Sequence, residues 1–114
     1  MKLKLLTPLL LTLTTLFFIA NANAKTFNTN IPGLVIKELS CLYSTYDGRW
    51  VNRNNQSLGK KRIKISMYDS DGDRTGMQST NYSINMGAKS GGDFTTQSWG
   101  SSCSSSYSFA IFVE

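Results

Sequence analysis

In Lys60-Lys61-Arg62-Ile63-Lys64-Ile65-Ser66-Met67-Tyr68 the alternation is clean from Arg62 onward. Ile63, Ile65 and Met67 share one side. Lys60, Arg62, Lys64, Ser66 and Tyr68 share the other, with Lys61 opening the first side. A period of two with one wholly apolar face predicts a half-buried strand of an antiparallel sheet. Downstream, Asp69-Ser70-Asp71-Gly72-Asp73-Arg74-Thr75-Gly76 reads as a turn. A strand over Met77 to Met86 follows, with Tyr82, Ile84 and Met86 on one face. Ala88 to Gly92 turns again, and Phe94 to Trp99 is a weaker Thr- and Ser-bearing strand. Tyr107, Phe109, Ile111 and Val113 alternate with Ser108, Ala110 and Phe112. That last strand is apolar on both faces, which predicts a central place in the sheet.

Upstream, Asn52 to Gly59 is a polar loop. Leu34 to Tyr43 is a long apolar-rich strand whose alternation slips at Lys37-Glu38, the mark of a β-bulge. Asp47-Gly48 within Tyr46 to Trp50 carries the strongest short hairpin signal, with a brief strand over Arg49 to Asn52 beyond it. No stretch after residue 24 holds a 3.6-residue period, and Gly, Ser, Thr and Asn recur throughout. The expected fold is therefore all-β: a small antiparallel β-sandwich or barrel of about six or seven strands.

The first 24 residues belong to another class. Lys2 and Lys4 form a basic start, Leu5 to Ile19 an apolar run, and Ala22-Asn23-Ala24 a small-residue cleavage site. These are the three parts of a secretory signal peptide, here of bacterial type. The run is too short and too rich in Thr for a membrane span. Residues 1–24 are expected to be removed, leaving 25–114 as one exported domain, periplasmic or secreted, with no transmembrane segment.

The leader carries two of the 12 Lys and Arg residues and no acidic one, so the whole-chain net charge of +5 falls to 10 against 7, or +3. This is mildly basic and permits an anionic partner. Cys41 and Cys103 are the only two cysteines. In an oxidising compartment they are expected to form one intramolecular disulfide. The bridge closes a loop of roughly 60 residues and stabilises by about 4 kcal/mol in the chain-entropy treatment. A domain this small buries only roughly 60–65% of its unfolded surface, so the bridge is a large share of its margin.

Histidine is absent. Ser-His-Asp and Cys-His catalysis, His-ligated zinc and a histidine general base are excluded. A disulfide removes both thiols. No Gly-rich phosphate loop opens a helix. The aspartates lie mostly beside glycines in turns, where Asp serves its own backbone. A non-enzymatic protein without a cofactor is expected.

Three groupings remain as candidate sites. Lys60, Arg62 and Lys64, with Arg49, Arg53 and Arg74 nearby in sequence, predict a cationic face for an acidic protein surface or an anionic envelope component. Nucleic acid is not expected, because neither a recognition helix nor an aromatic RNA-binding pattern is present. Trp50 with Arg49 and Asn52 predicts an exposed platform able to stack on a sugar. Asp69, Asp71 and Asp73 resemble the start of a calcium loop. Arg74 and Thr80, however, stand where that loop needs Gly and a bidentate Glu, which favours Asx turns over a metal. The functional expectation is a binding or interaction module, of inhibitor or immunity type. A glycan-binding module and a secreted toxin or membrane-active protein are the alternatives.

Overall fold

The computed structural model describes residues 25–98 and 100–114. Residues 1–24, where a leader is expected, and Trp99 lie outside the described residues. The strands are β1 Thr26–Asn28, β2 Leu34–Leu42, β3 Thr45–Asn52, β4 Gly59–Lys61, β5 Ile63–Tyr68, β6 Arg74–Thr80, β7 Ile84–Met86, β8 Ser90–Gln97 and β9 Ser108–Val113, with a 3-10 turn at Cys103–Ser105. Seven strands form one sheet in the order β9-β5-β6-β8-β3-β2-β1, and β4 pairs with β7 in a separate two-stranded ribbon. The fold is all-β and antiparallel, and the large sheet is nearly closed into a barrel. Among the described residues, no helix is long and apolar enough to cross a membrane.

The barrel fills from its inward faces. Ile63, Ile65 and Met67 of β5 are fully buried and alternate with half-buried Lys64, Ser66 and Tyr68, as the period of two requires. They pack with Leu34, Ile36, Tyr46, Trp50, Phe94 and Val113 in one continuous core. The expected disulfide is present between Cys41 and Cys103, with Cα atoms 5.9 Å apart across 62 residues of sequence. It ties the end of β2 to the 3-10 turn ahead of β9.

Closure of the barrel is unusual in kind. Every ladder is antiparallel, so an odd number of strands leaves β1 and β9 running the same way. No ladder joins them. Asn30 supplies the link instead: its amide donates to the Val113 carbonyl (2.9 Å) and its side-chain oxygen accepts from the Val113 N–H (2.6 Å). Phe27 meets Phe109 edge-on across the same seam, ring centroids 5.2 Å apart. A second thin joint lies between β6 and β8, which among the described residues pair at Ser79 and Thr80. There the buried Gln78 amide bridges the gap. Its oxygen accepts from the Thr96 hydroxyl (2.6 Å) and the Tyr46 N–H (3.3 Å), and its nitrogen donates to the carbonyls of Ser44 (2.7 Å) and Ser101 (2.6 Å). With both its oxygen and its NH2 group paired, the group is stabilising rather than a burial penalty.

The bulge expected near Lys37-Glu38 is seen. Glu38 and Leu39 together oppose Gly48, the register shifts between Lys37 and Ser40, and Glu38 takes φ 54°. Other expectations are corrected. Asp47-Gly48 makes no turn; it lies inside β3, opposite Thr95 and Phe94, and the hairpin turns at Tyr43-Ser44. Gly48 is there for clearance: a Cβ would sit 2.9 Å from the Phe94 ring and 3.2 Å from Leu39. The run from Lys60 to Tyr68 is not one strand. Arg62 exchanges both backbone bonds with Glu114, which completes the β5–β9 ladder, and Lys60-Lys61 bends away to pair with β7. Met77 to Met86 is likewise broken, at Asn81 to Ser83, so Tyr82 is exposed while Met86 is buried. β8 begins at Ser90 rather than Phe94. The terminal strand closes the sheet at its end rather than lying centrally; its second apolar face is Phe112, which stays half exposed. The serine-rich segment ahead of β9 is held by its own side chains. Ser102 caps the 3-10 turn by accepting from the Ser104 N–H, and the Ser106 hydroxyl meets the Tyr46 hydroxyl.

Candidate binding surface

The expected binding residues separate into buried and exposed sets. Trp50 is only 5% exposed and Asn52 is 0% exposed, so neither forms an open platform. The correction follows from strand parity: Tyr46, Trp50 and Asn52 occupy the inward positions of β3, and Asp47, Arg49 and Val51 the outward ones. The indole lies against Gly92, where a Cβ would come within 3.1 Å of its nitrogen. Arg49 stays on the outer wall and pairs with Asp93 (3.5 Å). Lys64 is held by Glu114 (2.6 Å), so its charge is compensated. Lys60 and Arg62 are exposed. The three basic residues therefore do not form a single strand face.

Asn52 organises the end of the barrel that carries Arg53, Lys60, Arg62 and Lys89. Its amide donates to the carbonyls of Gln56 (3.1 Å), Met86 (3.3 Å) and Gly87 (2.9 Å), and its oxygen accepts from the Asn54 N–H (3.0 Å). One buried side chain thus fastens the 53–58 loop to the turn after β7. Further backbone bonds complete the floor. Arg53 N–H donates to Gly33, Leu58 N–H to Met86 and Lys89 N–H to Asn54. From this floor Arg53, Lys60, Arg62 and Lys89 project as exposed residues, with Lys61 half-buried beside them. Among the described residues the ion pairs are Arg49–Asp93 and Lys64–Glu114. The five cations of this end are in neither.

The opposite end holds Asp69, Asp71 and Asp73. One oxygen of Asp69 accepts from the N–H groups of both Asp71 and Asp73, each at 3.0 Å. Gly72 donates back to the Asp69 carbonyl at 3.0 Å. This is an Asx turn, with the first carboxylate aimed at its own backbone. Among the described residues no group of three or more His, Cys, Asp or Glu side chains is arranged to hold a metal ion.

Lys89 is the member of the basic end that the sequence pattern did not single out. It sits at φ 50° in the turn before β8. Nothing local in Gly87-Ala88-Lys89-Ser90 points there; the hydrogen bond to Asn54 brings it in. No protein-family model matches the chain, and no curated protein and no solved structure matches it either.

Proposed function

We propose that the chain is a small exported bacterial protein, periplasmic or released, that acts as a non-enzymatic binding module of inhibitor or immunity type. Its basic end covers an acidic surface on another protein. The observation that carries this reading is the set Arg53, Lys60, Lys61, Arg62 and Lys89: cations outside the ion pairs, carried on a floor pinned by one buried asparagine. A pre-ordered cationic surface loses little conformational entropy on docking and steers an acidic partner during encounter. The disulfide supports an oxidising compartment. The absence of histidine, and the use of both cysteines in the bridge, support a role without nucleophilic chemistry.

The test is capture from envelope extract and culture medium by the oxidised protein, followed by affinity measurement on the recovered partner. The triple reversal Lys60→Glu, Arg62→Glu, Lys89→Glu should weaken binding at least roughly a hundredfold, on the scale of about 1.5 kcal/mol or more per close charge pair. Raising salt from 0.1 M to 1 M shortens the screening length from about 10 Å to about 3 Å and should weaken the wild type in the same direction. Affinity indifferent to both changes, or dye release from anionic vesicles at low protein concentration, would contradict the proposal.

A further inference from the structure

The large sheet ends in β1 on one side and β9 on the other, and neither has a strand neighbour on its outer edge. On β9 the free groups follow from parity. Arg62 and Glu114 exchange both backbone bonds, so Glu114, Phe112 and Ala110 turn their N–H and C=O groups toward β5. Phe109, Ile111 and Val113 turn theirs toward the seam. Asn30 serves Val113, donating to its carbonyl and accepting from its N–H as a residue of a neighbouring strand would. Among the described residues no hydrogen bond reaches the N–H or C=O of Phe109 or Ile111. The core is open at the same place. Ile63, Ile65 and Met67 point inward from β5 and are at most 1% exposed, whereas Phe27, Phe109 and Ile111 pack against the core at the seam and are only partly buried.

We infer that this seam receives an extended segment of a partner protein, added between β1 and β9 as an eighth strand. The parity of the sheet sets its direction. β1 and β9 run the same way, so one strand antiparallel to both completes an even-numbered antiparallel barrel. An unpaired edge is a template for such addition: main-chain bonds supply affinity, and alternate side chains supply selectivity. The free groups of Phe109 and Ile111 fix the register over roughly three residues. The entering segment needs apolar side chains on its inward side, to cover Phe27, Phe109 and Ile111, and polar ones on its outward side. Asn30 and the Phe27–Phe109 contact keep β1 close, so the gap admits a single slender strand and not the edge of a folded second copy. The wall that gives way is β1, three residues long and held to β9 by side chains alone. Because the segment runs against β9, its C-terminal end lies by Phe109. There Lys25 Nζ stands 5.3 Å from the centre of the Phe27 ring, which favours a carboxylate at that end. The site goes beyond the basic end and uses neither Lys60 nor Lys89.

The probe is a synthetic peptide with the sequence of residues 63–68 and a free carboxyl terminus. That strand already pairs antiparallel with β9 and carries one apolar and one polar face. Amide hydrogen exchange of the oxidised protein is followed with and without it. In the free protein the Phe109 and Ile111 amides should exchange at least tenfold faster than those of Ala110 and Phe112. Millimolar peptide should slow them at least tenfold. The same peptide with proline at its third residue has no N–H to offer there and should lose most of the effect. Lys25→Glu, a change at an exposed residue, should weaken the peptide at least threefold. Lys60→Glu with Lys89→Glu should leave it unchanged, which separates this site from the basic end. Slow exchange at Phe109 and Ile111 without peptide, no slowing with it, equal slowing by the proline peptide or indifference to Lys25→Glu would overturn the inference. So would faster exchange at Ala110 and Phe112, which would mean that the peptide displaces β5 instead.

Discussion

Asn52 shows how much one buried polar side chain can organise. It makes four hydrogen bonds, all to backbone, and joins two loops that are more than thirty residues apart in the chain. Asn52→Ala would strand a backbone N–H and weaken the hold on three carbonyls. Burying unsatisfied groups costs about 1–3 kcal/mol each, so a loss of about 3 kcal/mol is expected in denaturant unfolding of the oxidised protein. Trp50 belongs beside it. Its burial against Gly92 means that Trp50→Ala acts on stability, by about 3–5 kcal/mol. Retained stability in that variant, measured by the same unfolding curves, would contradict the burial assigned here.

At the scale of elements, the β1–β9 seam is closed without a ladder. Two hydrogen bonds from Asn30 and one aromatic contact stand in for a ladder. Asn30→Ala should therefore open the seam locally before the barrel unfolds. The expected result is faster hydrogen exchange at Val113 with little change at Ile65, whose ladder lies on the far side of β9. Uniform acceleration across both strands would instead mean that the seam opens only with global unfolding. The parts legible in the sequence are those whose signal is local. Ile63, Ile65 and Met67 state their face by alternation alone, and the slip at Lys37-Glu38 announces the bulge. Asp47-Gly48 misled because its glycine answers a distant demand, the Phe94 ring of a strand more than forty residues away. The break at Arg62 was hidden for the same reason, since Glu114 at the far end of the chain takes its backbone bonds. The basic cluster was only partly legible. Lys60, Lys61, Arg62 and Arg53 are close in sequence, but Lys89 joins them only through a fold-level hydrogen bond.

At the scale of the whole molecule, charge and covalent constraint are distributed unevenly. The disulfide pins one end, and five of the cations outside the two ion pairs, Arg53, Lys60, Lys61, Arg62 and Lys89, lie at the other. Reduction of Cys41–Cys103 releases a loop of 62 residues and should lower unfolding free energy by about 4 kcal/mol, a large share of the roughly 5–10 kcal/mol expected for a domain of this size. A denaturation midpoint unchanged by reduction would contradict that share. The Asn52 floor lies at the end away from the bridge, so mild reduction should weaken the hairpin tip at Tyr43-Ser44 before it disturbs the basic loops.

The central claim is that the end carrying Arg53, Lys60, Arg62 and Lys89 is the docking surface for an acidic protein. Hydrogen exchange of the oxidised protein, free and saturated with its captured partner, reads this directly. Slowed exchange across residues 53–62 and 85–89 is the predicted result. Protection confined to the 69–73 turn or to the Leu42–Ser44 tip, with the basic loops exchanging as in the free protein, would contradict it.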